Sequence, residues 1–220
     1  MNYRFTNRTG GASTGAFASA NLGFHVGDNP EQVAQNRGQL FEKFGPVAFM
    51  TQVHGDRVAV VEDISDVDPT ADALVTGIQG ITLAVQVADC IPLLLISSQS
   101  VAAVHVGRKG LVNGVTLRAL EVMRDMGASD IRAVIGPAIC GTCYEVSEEI
   151  FAEVTALHPA AASKSARGNR ALDLPKALVK LLEGQNITVE IAGVCTVENS
   201  ELFSYRRDGV TGRQAGLVWL

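Results

Sequence analysis

The chain contains four histidines, His25, His54, His105 and His158, and four cysteines, Cys90, Cys140, Cys143 and Cys195. His54 stands in Thr51-Gln52-Val53-His54-Gly55-Asp56, where a β-like run meets a Gly-Asp turn signal. Cys90 stands in Ala88-Asp89-Cys90-Ile91-Pro92, between two apolar runs, and His105 ends the run from Val101 just before Gly107. Each therefore falls at or near a strand end, where side chains from separate strands can converge. Two imidazoles and a thiolate are good zinc ligands, and a three-ligand site leaves a fourth position open for water or substrate. A metal held there would lower the pKa of a bound water and polarise a substrate atom. Asp89, Gln52 and Asp56 are the nearby candidates to orient ligands or carry protons. The three residues match no local zinc motif, so such a site would have to be assembled by tertiary structure. On spacing alone, a small buried cysteine beside two hydrogen-bonded histidines is the simpler reading.

Other motifs speak more weakly. Cys140-Gly141-Thr142-Cys143 has the spacing of half a zinc ribbon or of a redox pair, but no second C-x-x-C exists. It also follows a Gly-Pro turn instead of opening a helix, so structural or incidental cysteines are expected. Cys195, after Ala192-Gly193-Val194, reads as a core residue. The stretches Thr9–Gly15 and Gly107–Gly110 lack the framing of phosphate loops, though the second precedes a helix. Arg206-Arg207-Asp208-Gly209 with Thr211-Gly212-Arg213 reads as a solvated basic turn; a phosphate clamp is the sharper alternative.

The elements that must position these groups follow from pattern. Asn29 caps a helix that begins at Pro30 and closes at Gly45-Pro46, with Val33, Leu40, Phe41 and Phe44 at helical spacing. A second helix is expected from Leu111 to Met126, stopping at Gly127, and a third behind Asp173 with Leu174, Leu178 and Leu181 on one face. Residues 47–53, 57–62, 81–87, 92–96, 101–106, 131–135 and 187–194 read as strands. Several are apolar on successive residues, as in strands covered on both faces. A mixed sheet layered with helices follows, as one domain spanning 1–220, with residues 158–170 an exposed loop. At 47% hydrophobic and 19% charged residues the 220-residue chain can bury a sizeable core, and a net charge of -5 provides no global field for nucleic acid. The most apolar stretch, 81–106, is broken by Asp89, Pro92 and His105, so no membrane span is expected. Four cysteines in a chain of this length fit a reduced, cytoplasmic protein.

The chain resembles a known family, the YfiH or multicopper polyphenol oxidase (laccase) family, also called peptidoglycan editing factor or purine nucleoside phosphorylase. The likeness runs through Gly10-Gly11-Ala12-Ser13, Asn21-Leu22-Gly23, Val26-Gly27-Asp28, Asn36-Arg37, Gln52-Val53-His54-Gly55 and Ala71-Asp72-Ala73-Leu74-Val75-Thr76. It continues through Ala88-Asp89-Cys90-Ile91-Pro92-Leu93, Val104-His105, Ile135-Gly136-Pro137-Ala138-Ile139, Cys143-Tyr144-Glu145-Val146 and Phe203-Ser204-Tyr205-Arg206-Arg207-Asp208. The resemblance implies an α+β fold shared with cysteine-hydrolase-like toxin domains and zinc on His54, Cys90 and His105. It also implies phosphorolysis of adenosine, inosine and methylthioadenosine, with adenosine deamination as a second reaction. Cys90, His54, His105 and Asp89 are the expected catalytic residues, and Asn21, Arg37, Gln52, Arg206 and Arg213 the expected substrate-binding ones. The partners implied are a purine nucleoside and phosphate, with the chain a monomer or weak homo-oligomer. One departure stands out. The family's Gly-Trp-Arg-Gly after the second histidine is here Gly107-Arg108-Lys109-Gly110, a cation in place of a flat aromatic wall. Four histidines cannot furnish both a blue-copper site and a histidine-rich copper cluster, so the copper oxidase reading fails by count. Two alternatives remain: a metal-free cysteine hydrolase using Cys90 and His105, including a peptidoglycan-precursor editing form, and a non-catalytic binder of a nucleotide or partner.

Overall fold

A computed structural model of the protein describes residues 2–65 and 67–220. The strands are β1 (Tyr3–Phe5), β2 (Val47–Ala48), β3 (Val58–Val60), β4 (Ala73–Thr76), β5 (Thr82–Val87), β6 (Ile91–Ile96), β7 (Val101–Val106), β8 (Arg132–Ile135), β9 (Ala162–Lys164), β10 (Arg170–Leu172), β11 (Thr188–Ile191) and β12 (Gln214–Trp219). The helices are α1 (Pro30–Phe44), α2 (Arg108–Asn113), α3 (Val115–Asp125), α4 (Glu148–Leu157), α5 (Leu174–Glu183) and α6 (Tyr205–Asp208). A mixed six-stranded sheet runs β11-β8-β6-β7-β4-β3, and a mixed four-stranded sheet runs β1-β12-β5-β2.

Side-chain alternation explains the unbroken apolar runs, because both faces of the six-stranded sheet are covered. Ala73, Val75, Ile91, Leu93, Leu95, Ala102 and Val104 pack on α2, α3, α4 and α5. The alternate residues Leu74, Leu94, Ile96, Val101 and Ala103 face Leu83, Val85 and Val218 of the four-stranded sheet. Leu40 and Phe44 of α1 cover that sheet's outer side, over Ala84, Ala215 and Leu217. The order is helix, sheet, sheet, helices, the α+β layering of mixed sheets with flanking helices that the resemblance implies. Among the described residues, no helix is long and apolar enough to cross a membrane.

Several boundaries differ from expectation for physical reasons. The predicted helix 111–126 is two helices, because Gly114 turns left-handed at φ 79 and caps α2. The strand expected over 47–53 ends at Ala48, and the chain then bends to bring His54 in at φ 59. Residues 158–170 are not a plain loop: β9 pairs antiparallel with β10, and Ala161 is fully buried. Tyr205–Asp208 forms the helical turn α6, capped by the Ser204 hydroxyl, which accepts from the Arg207 N–H. Asn29, at the start of α1, and Asp173, at the start of α5, cap their helices as anticipated.

Candidate metal centre and active site

Strand register brings the reactive side chains to one end of the six-stranded sheet. Antiparallel β6 and β7 set Pro92 opposite His105 and Ile91 opposite Val106, so Cys90 and Gly107 flank the same corner. On the other side of β7, Ala73 of β4 pairs with Val104, which puts Asp72 next to His105. His105 donates its backbone N–H to the Asp72 carbonyl at 2.8 Å, and its Nδ1 lies 2.8 Å from Asp72 Oδ1. His54 arrives from the loop before β3. The fully buried Asp72 holds that loop by accepting the N–H groups of Val53 (3.2 Å), His54 (2.9 Å) and Gly55 (2.7 Å).

The outcome is a three-donor cluster. Ligand atoms of His54, Cys90 and His105 all lie within 4.8 Å of one another; Cys90 Sγ is 3.9 Å from His54 Nε2, and the imidazole rings meet edge-on. Gly107 permits this approach, since a Cβ there would stand 3.0 Å from both Cys90 Sγ and His54 Cδ2. Asp72, hydrogen-bonded to Nδ1, leaves His105 Nε2 to face the cluster, the carboxylate–histidine arrangement that orients metal ligands. Two nitrogens and one sulfur at this spacing fit a tetrahedral zinc with one vertex open.

Electrostatics favour an ion pair between Cys90 and His105. Burial opposes ionisation of Cys90, but the His105 charge and hydrogen bonds from both histidines outweigh it and hold the thiol at about 6. Burial likewise opposes charging of His105, yet the Cys90 sulfur and Asp72 raise it to about 9. The pair therefore favours thiolate and imidazolium, one proton away from two ligands.

The cluster sits in a cavity of about 470 Å³, within the ~300–1,000 Å³ usual for small-molecule sites. Its walls carry Gln52, Arg206 and Arg213 of the anticipated substrate residues, with Asp89 beside Cys90. Asn21 and Arg37 are outside that lining. Asn21 bonds Gly23, Asp28 and the Arg213 N–H, and the Arg37 guanidinium lies on Phe24 and Phe49. Gln52 grips the Gln86 backbone through both amide atoms, at 2.8 Å each. The Asp89 carboxylate accepts from Thr196 Oγ1 (2.5 Å), Ser204 Oγ (2.7 Å) and the Arg206 N–H (2.6 Å), stabilising a left-handed backbone at φ 94. Asp56 pairs with Arg118 at 2.9 Å and is not in the lining.

Arg206 is held by Nη1 on the Glu145 carbonyl at 2.9 Å and by stacking over Tyr144. Its neighbour Arg207 instead donates to four backbone carbonyls and is part of the scaffold. Arg108, where the resembling family has tryptophan, lines the cavity with its guanidinium on Glu153 at 2.7 Å, and Tyr144 and Tyr205 supply aromatic wall.

Asp72 and Gln86 are the residues that motif reading leaves without a role. Each is a polar residue inside a buried apolar run, which is itself a usable signal. Gln86 Oε1 is buried without a hydrogen-bond partner, and its residue belongs to the cavity lining. His25 also lines the cavity; burial and the neighbouring Arg213 push its pKa down, so it favours the neutral form. His158 is elsewhere, its Nε2 3.2 Å from the Leu111 carbonyl.

The sequence pattern of a family described as multi-copper polyphenol oxidoreductase laccase matches residues 2–220. A Streptomyces coelicolor protein named purine nucleoside phosphorylase SCO2081 is 45% identical over 230 residues, covering 99% of this chain and 95% of its own. One from Corynebacterium glutamicum, purine nucleoside phosphorylase Cgl2154/cg2365, is 42% identical over 229 residues, covering 98% and 93%. The crystal structure of Neisseria meningitidis protein NMB0706 superposes with a TM-score of 0.89 at 35% identity, over 100% of this chain and 94% of that one. YlmD from Geobacillus stearothermophilus gives a TM-score of 0.88 at 30% identity, over 99% and 92%. The chain belongs to the multi-copper polyphenol oxidoreductase laccase family, the YfiH group.

Proposed function

We propose that the protein is a zinc-dependent purine nucleoside phosphorylase acting on inosine, adenosine and methylthioadenosine. The carrying observation is the His54–Cys90–His105 cluster, opening into a cavity walled by Arg206 and Arg213. In the reaction a phosphate oxygen bonds to the ribose anomeric carbon as the glycosidic C–N bond breaks. The electron pair leaves with the purine, which takes up a proton, and the other product is ribose 1-phosphate, or 5-methylthioribose 1-phosphate from methylthioadenosine. His54, Cys90 and His105 would hold the zinc, which would supply Lewis-acid stabilisation of the developing charge. Arg206 and Arg213 hold phosphate by charge-assisted hydrogen bonds. Tyr144 offers a face to the base. Asp72 keeps His105 in one tautomer. Adenosine deamination, in which water's oxygen replaces the purine amine and ammonia leaves, is the second reaction for the same centre.

The direct test is incubation with inosine and phosphate, followed by chromatography. Hypoxanthine and ribose 1-phosphate are expected in equal amounts, with the reaction stopped by a chelator and restored by zinc. No turnover by the zinc-loaded protein would sink the proposal. Replacement of Arg206 by alanine should raise the KM for phosphate roughly 10- to 100-fold, from about 1.5–3 kcal/mol of lost charge-assisted hydrogen bonding. The KM for inosine should move far less, and equal changes in both would show that Arg206 does not hold the anion.

A second reading has its own observation. Asp72, His105 and the low-pKa Cys90 stand in the order orienter, base, nucleophile of a cysteine hydrolase. That enzyme would survive chelation and be stopped by iodoacetamide without metal. A UDP-muramyl precursor carrying the wrong amino acid is the substrate to offer it.

A further inference from the structure

Two turns near the substrate cavity face each other. Parallel neighbours β8 and β11 set Ile135 opposite Ile191, and the chains leaving their ends run on side by side. Ala138 donates its N–H to the Val194 carbonyl at 3.2 Å, and Thr196 returns one to the Ala138 carbonyl at 3.2 Å. The first turn is Cys140-Gly141-Thr142-Cys143 and the second Cys195-Thr196-Val197-Glu198, each a donor, two residues, and a donor. Cys195, expected as a simple core residue, is 9% exposed and turns its sulfur to the first turn, where it accepts the Cys140 N–H at 3.4 Å. Cys143 Sγ contacts Glu198 Oε1 at 3.5 Å. Donor atoms of Cys140, Cys143, Cys195 and Glu198 all lie within 4.8 Å of one another, and the three thiols are free.

We propose that these four residues form a second metal centre, a closed structural zinc site separate from His54, Cys90 and His105. Soft thiolates select zinc over hard cations such as magnesium or calcium. Four protein ligands complete a tetrahedron with no open vertex, the mark of a structural site. With Zn–S of about 2.3 Å, tetrahedral sulfurs stand roughly 3.8 Å apart, inside the spread of this cluster. Two-donor turns from separate chain segments follow zinc-ribbon logic, with a carboxylate in place of the fourth thiolate. The first turn is pinned from behind: a Cβ on Gly141 would stand 2.6 Å from Asp173 Cβ, so the glycine is required.

The centre also has a consequence for the cavity. Ile139 donates its N–H to the Asp89 carbonyl at 2.9 Å, and Thr196 donates to the Asp89 carboxylate. Ile139 and Tyr144 themselves line the cavity. A metal joining the two turns therefore clamps the wall beside Cys90 without touching substrate.

The test is metal content of protein purified without chelator. The wild type should contain two zinc ions per chain, and both Cys90→Ala and Cys143→Ser should contain one. Cobalt-loaded Cys90→Ala should show an intense thiolate-to-cobalt charge-transfer band that is lost when Cys143→Ser is added. Should Cys143→Ser fail to fold, Glu198→Gln in the Cys90→Ala background keeps the test, with zinc lost to a chelator at least roughly tenfold more readily. A metal-free Cys90→Ala protein, or a Cys140–Cys143 disulfide found by mass spectrometry of the unreduced chain, would overturn the proposal.

Discussion

Asp72→Asn should weaken zinc binding by roughly 10- to 100-fold and lower phosphorolysis in step, although the substituted residue touches neither metal nor substrate. Its two carboxylate oxygens have different tasks. Oδ1 accepts from the His54 N–H and faces His105 Nδ1, while Oδ2 accepts from the N–H groups of Val53 and Gly55. An asparagine must put its NH₂ on one side or the other. Facing His105, it would donate to Nδ1, drive the imidazole proton to Nε2, and block the lone pair the metal needs. Facing the loop, it would oppose two N–H donors and release His54. Either orientation costs about 1–3 kcal/mol from donors left without acceptors. Competition with a chromophoric chelator measures the affinity and thermal melting the stability. Unchanged zinc affinity in a folded Asp72→Asn protein would remove Asp72 from the site.

Cys90→Ala should fold and yet lose both the metal of the first centre and at least roughly a thousandfold in kcat/KM, about 4 kcal/mol at 1.4 kcal/mol per decade. The fold survives because Cys90 lies just outside β6, a partly buried residue at the margin of the core between the two sheets, where alanine removes a single sulfur atom. The metal does not survive, because two imidazoles alone make a poor zinc site at micromolar concentration. Alanine also removes the sulfur that raises His105, so that imidazole returns toward its ordinary range. Zinc analysis, circular dichroism and the inosine assay read the three outcomes separately. Full turnover by Cys90→Ala would end both the metal and the thiol mechanisms.

The layering of sheet with helices is legible in the residues because its causes are local, while the α+β class came with the resemblance. Asn29-Pro30 and Asp173 mark helix starts, and the double-sided apolar runs at 81–87 and 101–106 mark strands with both faces covered. What escapes is decided by contacts distant in sequence. Gly114 reads as an ordinary glycine within a helical period, and only its left-handed backbone divides the helix. Cys140 and Cys195 lie far apart along the chain and meet because β8 and β11 pair in parallel. The His54–Cys90–His105 cluster is of the same kind: spacing left it open, and the resemblance supplied the ligand set before the register of β4, β6 and β7 provided a geometric cause. Asn21 and Arg37, anticipated at the substrate, lie instead in the scaffold beside Gly23, Leu22 and Phe49.

Strand β12, the latest of the described strands in chain order, lies between β1 and β5, and Arg213 enters the cavity one residue before it begins. During synthesis the four-stranded sheet therefore stays split, with an edge of β5 unpaired, until residues 214–219 have been delivered. Such late, long-range closure slows folding and leaves a sticky edge for the nascent protein to shield. A ribosome-stalled chain ending before residue 210 would already hold every ligand of the first centre, yet it would lack the arginine that closes its wall.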